Sequence, residues 1–222
     1  WAVRERLQQP VTSLAEAVRI AAQTEGTTIL TDAADATSSG APGDSNAILR
    51  ALVESGYPKR VLAPVVDPPA VRAAFAAGVG HTLTAEVGGA LDPKRHRPLP
   101  ISATVRLLSD GRFRSESHGD TWQAGPTAVL EGPYFTLVAT SRAVSLYDRS
   151  LFLAHGQDPA HFDAVVVKSP HCQARFYQAW ATMLVNVDAP GATSANLKSL
   201  GHTRCLRPIF PLDANVPFRP QA

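Results

Sequence analysis

Apolar and polar positions change their period twice along this chain, and the changes divide it into three stretches. In the first, residues 11–78, apolar positions at helical spacing alternate with short runs that are apolar throughout. Leu14, Ala17, Val18 and Ala21 share a helical face, and Ser13 with Glu16 has capping-box spacing, so residues 11–24 are predicted to form a helix stopped by Gly26. Residues 27–30 are β-branched or apolar, as a buried strand requires, and residues 45–54 return to helical spacing until Gly56. Residues 60–66 read as a second strand. Asp67 and Pro68 then place a capping residue and a first-turn proline before Val71, Ala74 and Phe75, which predicts a third helix. Two successive strand-then-helix units imply parallel pairing.

In the second stretch, residues 81–140, the period drops to two. Leu83, Ala85 and Val87 alternate with Thr82, Thr84 and Glu86, and Ile101, Ala103, Val105 and Leu107 alternate with Ser102, Thr104 and Arg106. A further pair, 127–130 and 134–138, brackets Gly132-Pro133. This pattern predicts an antiparallel sheet with one face buried, with residues 88–100 as a long exposed loop. The third stretch, residues 145–190, reads as a short helix at 145–155, a buried strand at 164–167 ending on Lys168-Ser169, a helix at 173–181 and a last strand at 183–187. A proline-rich tail, residues 191–222, wraps over the surface. No internal repeat is visible. The fold class expected is α/β, a mixed sheet with parallel strand-helix units and an antiparallel insertion, in a single domain over residues 1–222.

Composition narrows the function. With 222 residues and 45% hydrophobic content, the chain can bury a real core. Its 21 basic and 19 acidic residues, net +2, are spread along the sequence, which argues against the basic stripe of a nucleic-acid binder. No run approaches the roughly 20 apolar residues of a membrane helix, and WAVRERLQQP lacks the layout of a signal peptide. A cytoplasmic protein with neither nucleic-acid nor membrane partners is expected. Cys172 and Cys205 do not make a disulfide framework and are read as reduced thiols. Because the chain opens on Trp1 and not on methionine, a longer protein is expected around it.

The densest chemistry lies in residues 31–46, TDAADATSSGAPGDSN, between the first strand and the second helix. Asp32 and Asp35 are either a carboxylate pair facing the cleft where α/β proteins bind ligands or acceptors that shape the turn. Gly40 and Gly43 supply backbone freedom and close approach to a ligand, while Asp44 and Ser45 are placed to cap the next helix. Neither a Walker loop nor dinucleotide spacing is present. Lys168, at a strand end, either delivers a cation to a substrate carboxylate or simply reaches water. His171 is a candidate substrate contact. With Cys172, His202 and Cys205 it makes a weaker structural-zinc alternative, since adjacent residues rarely both face one ion. His81, His96, His118, His155 and His161 lie in separate turns without ligand spacing and read as solvated or hydrogen-bonded. No serine-nucleophile elbow occurs.

Several motifs together resemble the C-terminal half of the microcystinase-type (MlrC-like) metallopeptidase family. They are the loop of Asp32, Asp35, Gly40, Pro42, Gly43 and Asp44, then GPTAVL at 125–130, TSRAVSLYDRSLF at 140–152, VVVKSP at 165–170, VDAPG at 187–191 and RPIFPLD at 207–213. The resemblance implies a zinc-dependent hydrolase cleaving an amide bond in small or linearised peptides. It places the zinc ligands outside this chain, in an N-terminal metal-binding domain that would be the partner, and no metal ligand here. It also implies Asp32 and Asp35 as catalytic residues that orient a histidine or the attacking water, and the Gly40, Gly43 and Asp44 loop as a substrate contact; Lys168 and His171 are added as candidate substrate contacts from their own placement at the strand end. Two departures stand out: Ala36 to Gly40 replaces the family's Asn-Pro-Gly-Gly-Gly-like run, and Gln173 and Ala174 stand where an aromatic residue and an arginine are usual. The alternative is a non-catalytic small-molecule or anion-binding module built on the same loop and helix N-terminus.

Overall fold

Ser13 Oγ accepts the Glu16 N–H at 3.3 Å, so the first helix, α1 (Leu14–Gln23), starts at its predicted cap in this computed structural model, which describes residues 1–170 and 174–217. A two-residue strand, β1 (Thr12–Ser13), pairs with the last strand of the chain and replaces the first residues of the helix expected over 11–24. The chain continues through β2 (Thr28–Thr31), α2 (Ala47–Glu54), β3 (Val61–Val66) and α3 (Pro68–Ala77). Asp67 caps α3 by accepting the Ala70 N–H at 2.9 Å, with Pro68 in the first turn. Then come β4 (Thr82–Val87), β5 (Leu99–Ser109), β6 (Arg112–Arg114), β7 (Thr121–Gln123), β8 (Thr127–Glu131) and β9 (Phe135–Thr140). The last elements are α4 (Ser150–Ala154), β10 (Ala164–Val167), α5 (Ala174–Tyr177) and β11 (Met183–Asp188).

One nine-stranded sheet, ordered β1-β11-β2-β10-β3-β9-β8-β5-β4, carries the whole α/β fold. β1, β11, β2, β10, β3 and β9 pair in parallel, and β8, β5 and β4 extend the sheet antiparallel. The predicted insertion is therefore continuous with the parallel region: β9 pairs antiparallel with β8 and parallel with β3. Single-face burial holds for β4 and the first half of β5 but not for β8 and β9. Their residues pack on both sides, Leu130 and Leu137 in one core cluster, Val129 and Val138 in the other. Interior strands covered on both faces lose the alternation that exposed ones keep.

The third stretch is shorter in regular structure than its pattern suggests. Asp148 accepts the Ser150 N–H at 2.8 Å and so delays α4, while its other oxygen takes Ser115 Oγ and the Ser117 N–H and hydroxyl, tying the separate β6–β7 hairpin to the body. The tail meets the start of the chain: the Trp1 indole donates to Val216 O and packs edge-on against Phe210 at 5.7 Å. Among the described residues, no helix is long and apolar enough to cross a membrane.

Candidate functional site

Asp32, Lys168 and Asp67 each follow the last residue of a parallel strand, β2, β10 and β3, and so lie along one edge of the sheet. In open α/β sheets this carboxyl edge is where ligands bind. Lys168, 136 positions from Asp32 in sequence, turns back into the protein and is 2% exposed. Its Nζ donates to Asp35 Oδ2 at 2.8 Å, to Asp32 Oδ2 at 3.2 Å and to the Ser45 carbonyl at 2.8 Å. An ammonium has three donors. All are used.

The sequence leaves two readings for Lys168, a cation offered to substrate or one reaching water, and the geometry matches neither. A buried ammonium needs compensating charge, and the acidic loop provides it. Asp32 and Asp35 likewise face inward and not into an open cleft. Asp35 takes the Gly43 N–H on Oδ1 at 2.9 Å and the Ser45 N–H on Oδ2 at 2.6 Å, and Asp32 Oδ1 accepts the Asp35 N–H at 3.1 Å. Burial pushes the Asp32 carboxyl up; Lys168 draws it down and the Asp35 charge raises it again, leaving it above the usual range. Burial alone would lower the Lys168 pKa, but the two carboxylates outweigh it and the value is raised. Lys168 is thus held as a cation, with Asp35 as its closer counter-ion.

Gly43 sits inside this fold of the loop. Its φ is +83°, and a Cβ there would lie 2.6 Å from Thr37 Cγ2 and 2.7 Å from Val66 Cγ2. Gly40, also at positive φ, ends a short 3₁₀ turn (Thr37–Ser39) at the exposed tip, where a Cβ would meet open space. The tip alone faces outward. Asp44 does not cap α2, whose flanking residue Asn46 makes no side-chain cap; its Oδ2 instead accepts the Leu91 and Asp92 N–H groups at 2.6 and 2.8 Å. His171, like Cys172 of the alternative zinc set, lies outside the described residues.

Residues 88–98 are not the freely exposed loop their composition predicts. They form a strap across the acidic loop: Gly88 N–H binds Asp67 Oδ2, Gly89 N–H binds the Asp44 carbonyl, and Asn46 Nδ2 donates to the carbonyls of Val87 and Arg97. A Cβ at Gly88 would fall 2.7 Å from Asn46 Nδ2, so the Gly88-Gly89 pair is the sequence signal for this close approach. The strap buries His96, which the sequence reads as solvated or hydrogen-bonded. Its Nε2 lies 3.8 Å from Asp44 Oδ1, and neither ring nitrogen nor that oxygen has a hydrogen-bond partner. His155, by contrast, is buried with Nδ1 donating to Leu151 O and Nε2 against Ser109 Oγ.

Among the described residues, Asp35, Asp44 and His96 bring potential metal-ligating atoms within 4.8 Å of one another. A hydrolytic ion keeps an open position for water and substrate. This group does not fit one: Asp35 and Asp44 have no solvent exposure and His96 has almost none, so no coordination position opens to water and substrate.

Residues 30–204 match the family described as MlrC C-terminus. The chain is 27% identical over 161 residues to Microcystinase C of Sphingomonas sp., covering 72% of this chain and 32% of that protein. The crystal structure of a "Putative metallopeptidase" from Mesorhizobium sp. BNC1 superposes with a TM-score of 0.83 at 31% identity, over 97% of this chain and 44% of that one. The chain thus spans about a third of the curated relative and under half of the solved one.

Proposed function

Because the chain belongs to the MlrC C-terminal family, we propose that it is the half of a zinc-dependent peptidase or amide hydrolase that presents a rigid acidic loop to a metal site built by an N-terminal domain. Both relatives are longer, and one is named Microcystinase C and the other "Putative metallopeptidase". Small or linearised peptides are the substrate class this reading carries. The observation that supports it is the clamp on residues 31–46: Asp35 binds Gly43, Ser45 and Lys168 at once, fixing the Gly40 tip at the carboxyl edge of the sheet. Asp32, Asp35 and Lys168 are positioning residues in this reading, since each is buried and acts through the loop. Preorganised loops matter because a misplacement of about 1 Å in an active site can cost on the order of 100-fold in rate.

The anion-module alternative needs free N–H groups after Gly43. Asp35 itself takes the Gly43 and Ser45 N–H groups, which weighs against that use of the loop. Peptide hydrolysis separates the two readings. The full-length protein should cleave a linearised peptide and lose that activity to a zinc chelator, while the 222-residue chain with added zinc should not cleave it. Turnover by the chain alone would contradict the proposal, as would a full-length protein indifferent to chelation.

A further inference from the structure

The structure assigns Asp44, His96 and Asp35 to a closed site for one divalent cation of the zinc or cobalt type, which fastens the 88–98 strap onto the acidic loop. The inference goes beyond the proposed function and does not depend on it. Charge motivates it first. Asp32, Asp35, Asp44 and Asp67 are each buried, and the one buried cation facing them among the described residues is Lys168. Asp67 is answered by two N–H groups and Asp32 and Asp35 by Lys168 and the loop amides. Asp44 Oδ1 has no partner.

Geometry carries the rest. The His96 side chain is 1% exposed, both its nitrogens lack partners, and Nε2 faces Asp44 Oδ1 at 3.8 Å. That separation is too long for a hydrogen bond. It suits two ligands on one ion, because bonds of about 2.0–2.1 Å set a wide angle apart put their donor atoms between 3 and 4 Å from each other. Asp35 is the third member within 4.8 Å, and Oδ1, which accepts only the Gly43 N–H, keeps capacity for a further contact. One imidazole and two carboxylates make a borderline donor set that favours zinc-like ions over calcium or magnesium. The backbone supports the ligands as outer-shell groups do at metal sites: Leu91 and Asp92 N–H groups fix the Asp44 carboxylate through its other oxygen. Most of the strap is exposed, so it can lift to admit the ion.

Titration of the chelator-stripped 222-residue chain with Co²⁺, followed by visible absorption, tests this without reference to activity. One equivalent should bind, Zn²⁺ should displace it, and binding should raise the melting temperature. His96→Asn and Asp44→Asn should each weaken binding at least tenfold while retaining wild-type circular dichroism; Asn at 44 still offers an oxygen to Leu91 and Asp92. No stoichiometric Co²⁺ binding by the wild-type chain would overturn the site, and so would binding that both variants retain. A hydrolytically inactive chain that binds the ion supports this site and leaves the proposed function standing, whereas failure to bind overturns this site alone.

Discussion

Lys168 Nζ and Asp35 Oδ2 meet at 2.8 Å inside the protein, 133 positions apart in sequence, and join the end of β10 to the acidic loop that follows β2. The pair fixes the loop because the ammonium also reaches Asp32 and Ser45, leaving no freedom in its placement. Lys168→Met removes the cation and leaves buried carboxylates uncompensated. The expected loss is about 3–5 kcal/mol, measured as a shift of the urea midpoint at constant slope. Glu54→Ala, which breaks the surface ion pair with Arg50 and no other contact of that side chain, should cost well under half of that, since such helix pairs contribute about 0.3–0.5 kcal/mol.

The same cluster makes stability sensitive to alkali. Lys168 has a raised pKa, so its contribution is complete below its ordinary value of 10.5 and is lost as pH rises through the higher folded value. Asp32, also raised, acts in the same direction over a lower range: its neutral form is favoured by folding, and that benefit falls as it ionises. Melting temperature should therefore decline above pH 10.5 more steeply in the wild type than in Lys168→Met. Equal alkaline slopes would separate the ammonium from the stability of the fold.

Asp148 works in the opposite sense. Burial opposes its charge, but donors from Ser117 and Ser150 bring its pKa down to about 2. Its contribution is present above the ordinary value of 3.8 and is lost as pH falls from there through 2. Acid unfolding between pH 4 and 2 should be steeper in the wild type than in Asp148→Asn. The first region to loosen should be the β6–β7 hairpin, seen as faster amide exchange at residues 112–123.

The two loop glycines should separate sharply on substitution. At Gly43 an added methyl meets both positive φ and two side chains closer than 3 Å, so Gly43→Ala should cost about 3 kcal/mol or more by combining strain with overpacking. Gly40→Ala faces backbone strain alone and should cost about 1–2 kcal/mol. Chemical denaturation of both variants checks the order; a larger loss at Gly40 would mean that the tip is packed in solution.

The element order and the capped starts of α1 and α3 were legible because Ser13-x-x-Glu16 and Asp67-Pro68 act locally. Parallel pairing was legible too, but not that β9 joins β3 to the antiparallel strands, because a strand buried on both faces shows no period that marks its neighbours. Residues 31–46 stood out by composition. What their carboxylates bind could not be read, since Lys168 arrives from 133 residues beyond Asp35 and the Leu91 and Asp92 amides from 47 and 48 beyond Asp44. His96 reads as solvated or hydrogen-bonded for the same reason: ligand spacing in sequence finds sites within one helix or turn, and its neighbours come from two loops that fold onto each other.

The buried lock between Asp35 and Lys168 is tested most directly in the full-length protein by a double-mutant cycle of Asp35→Asn and Lys168→Met, with stability and peptide turnover measured on the same samples. Each single change should lower both. The double variant buries one uncompensated carboxylate, Asp32, where Lys168→Met buries two, so it should regain a measurable part of the stability lost in Lys168→Met while kcat stays at least tenfold below wild type with KM little changed. Wild-type turnover in the double variant would show that the loop serves the reaction without this lock.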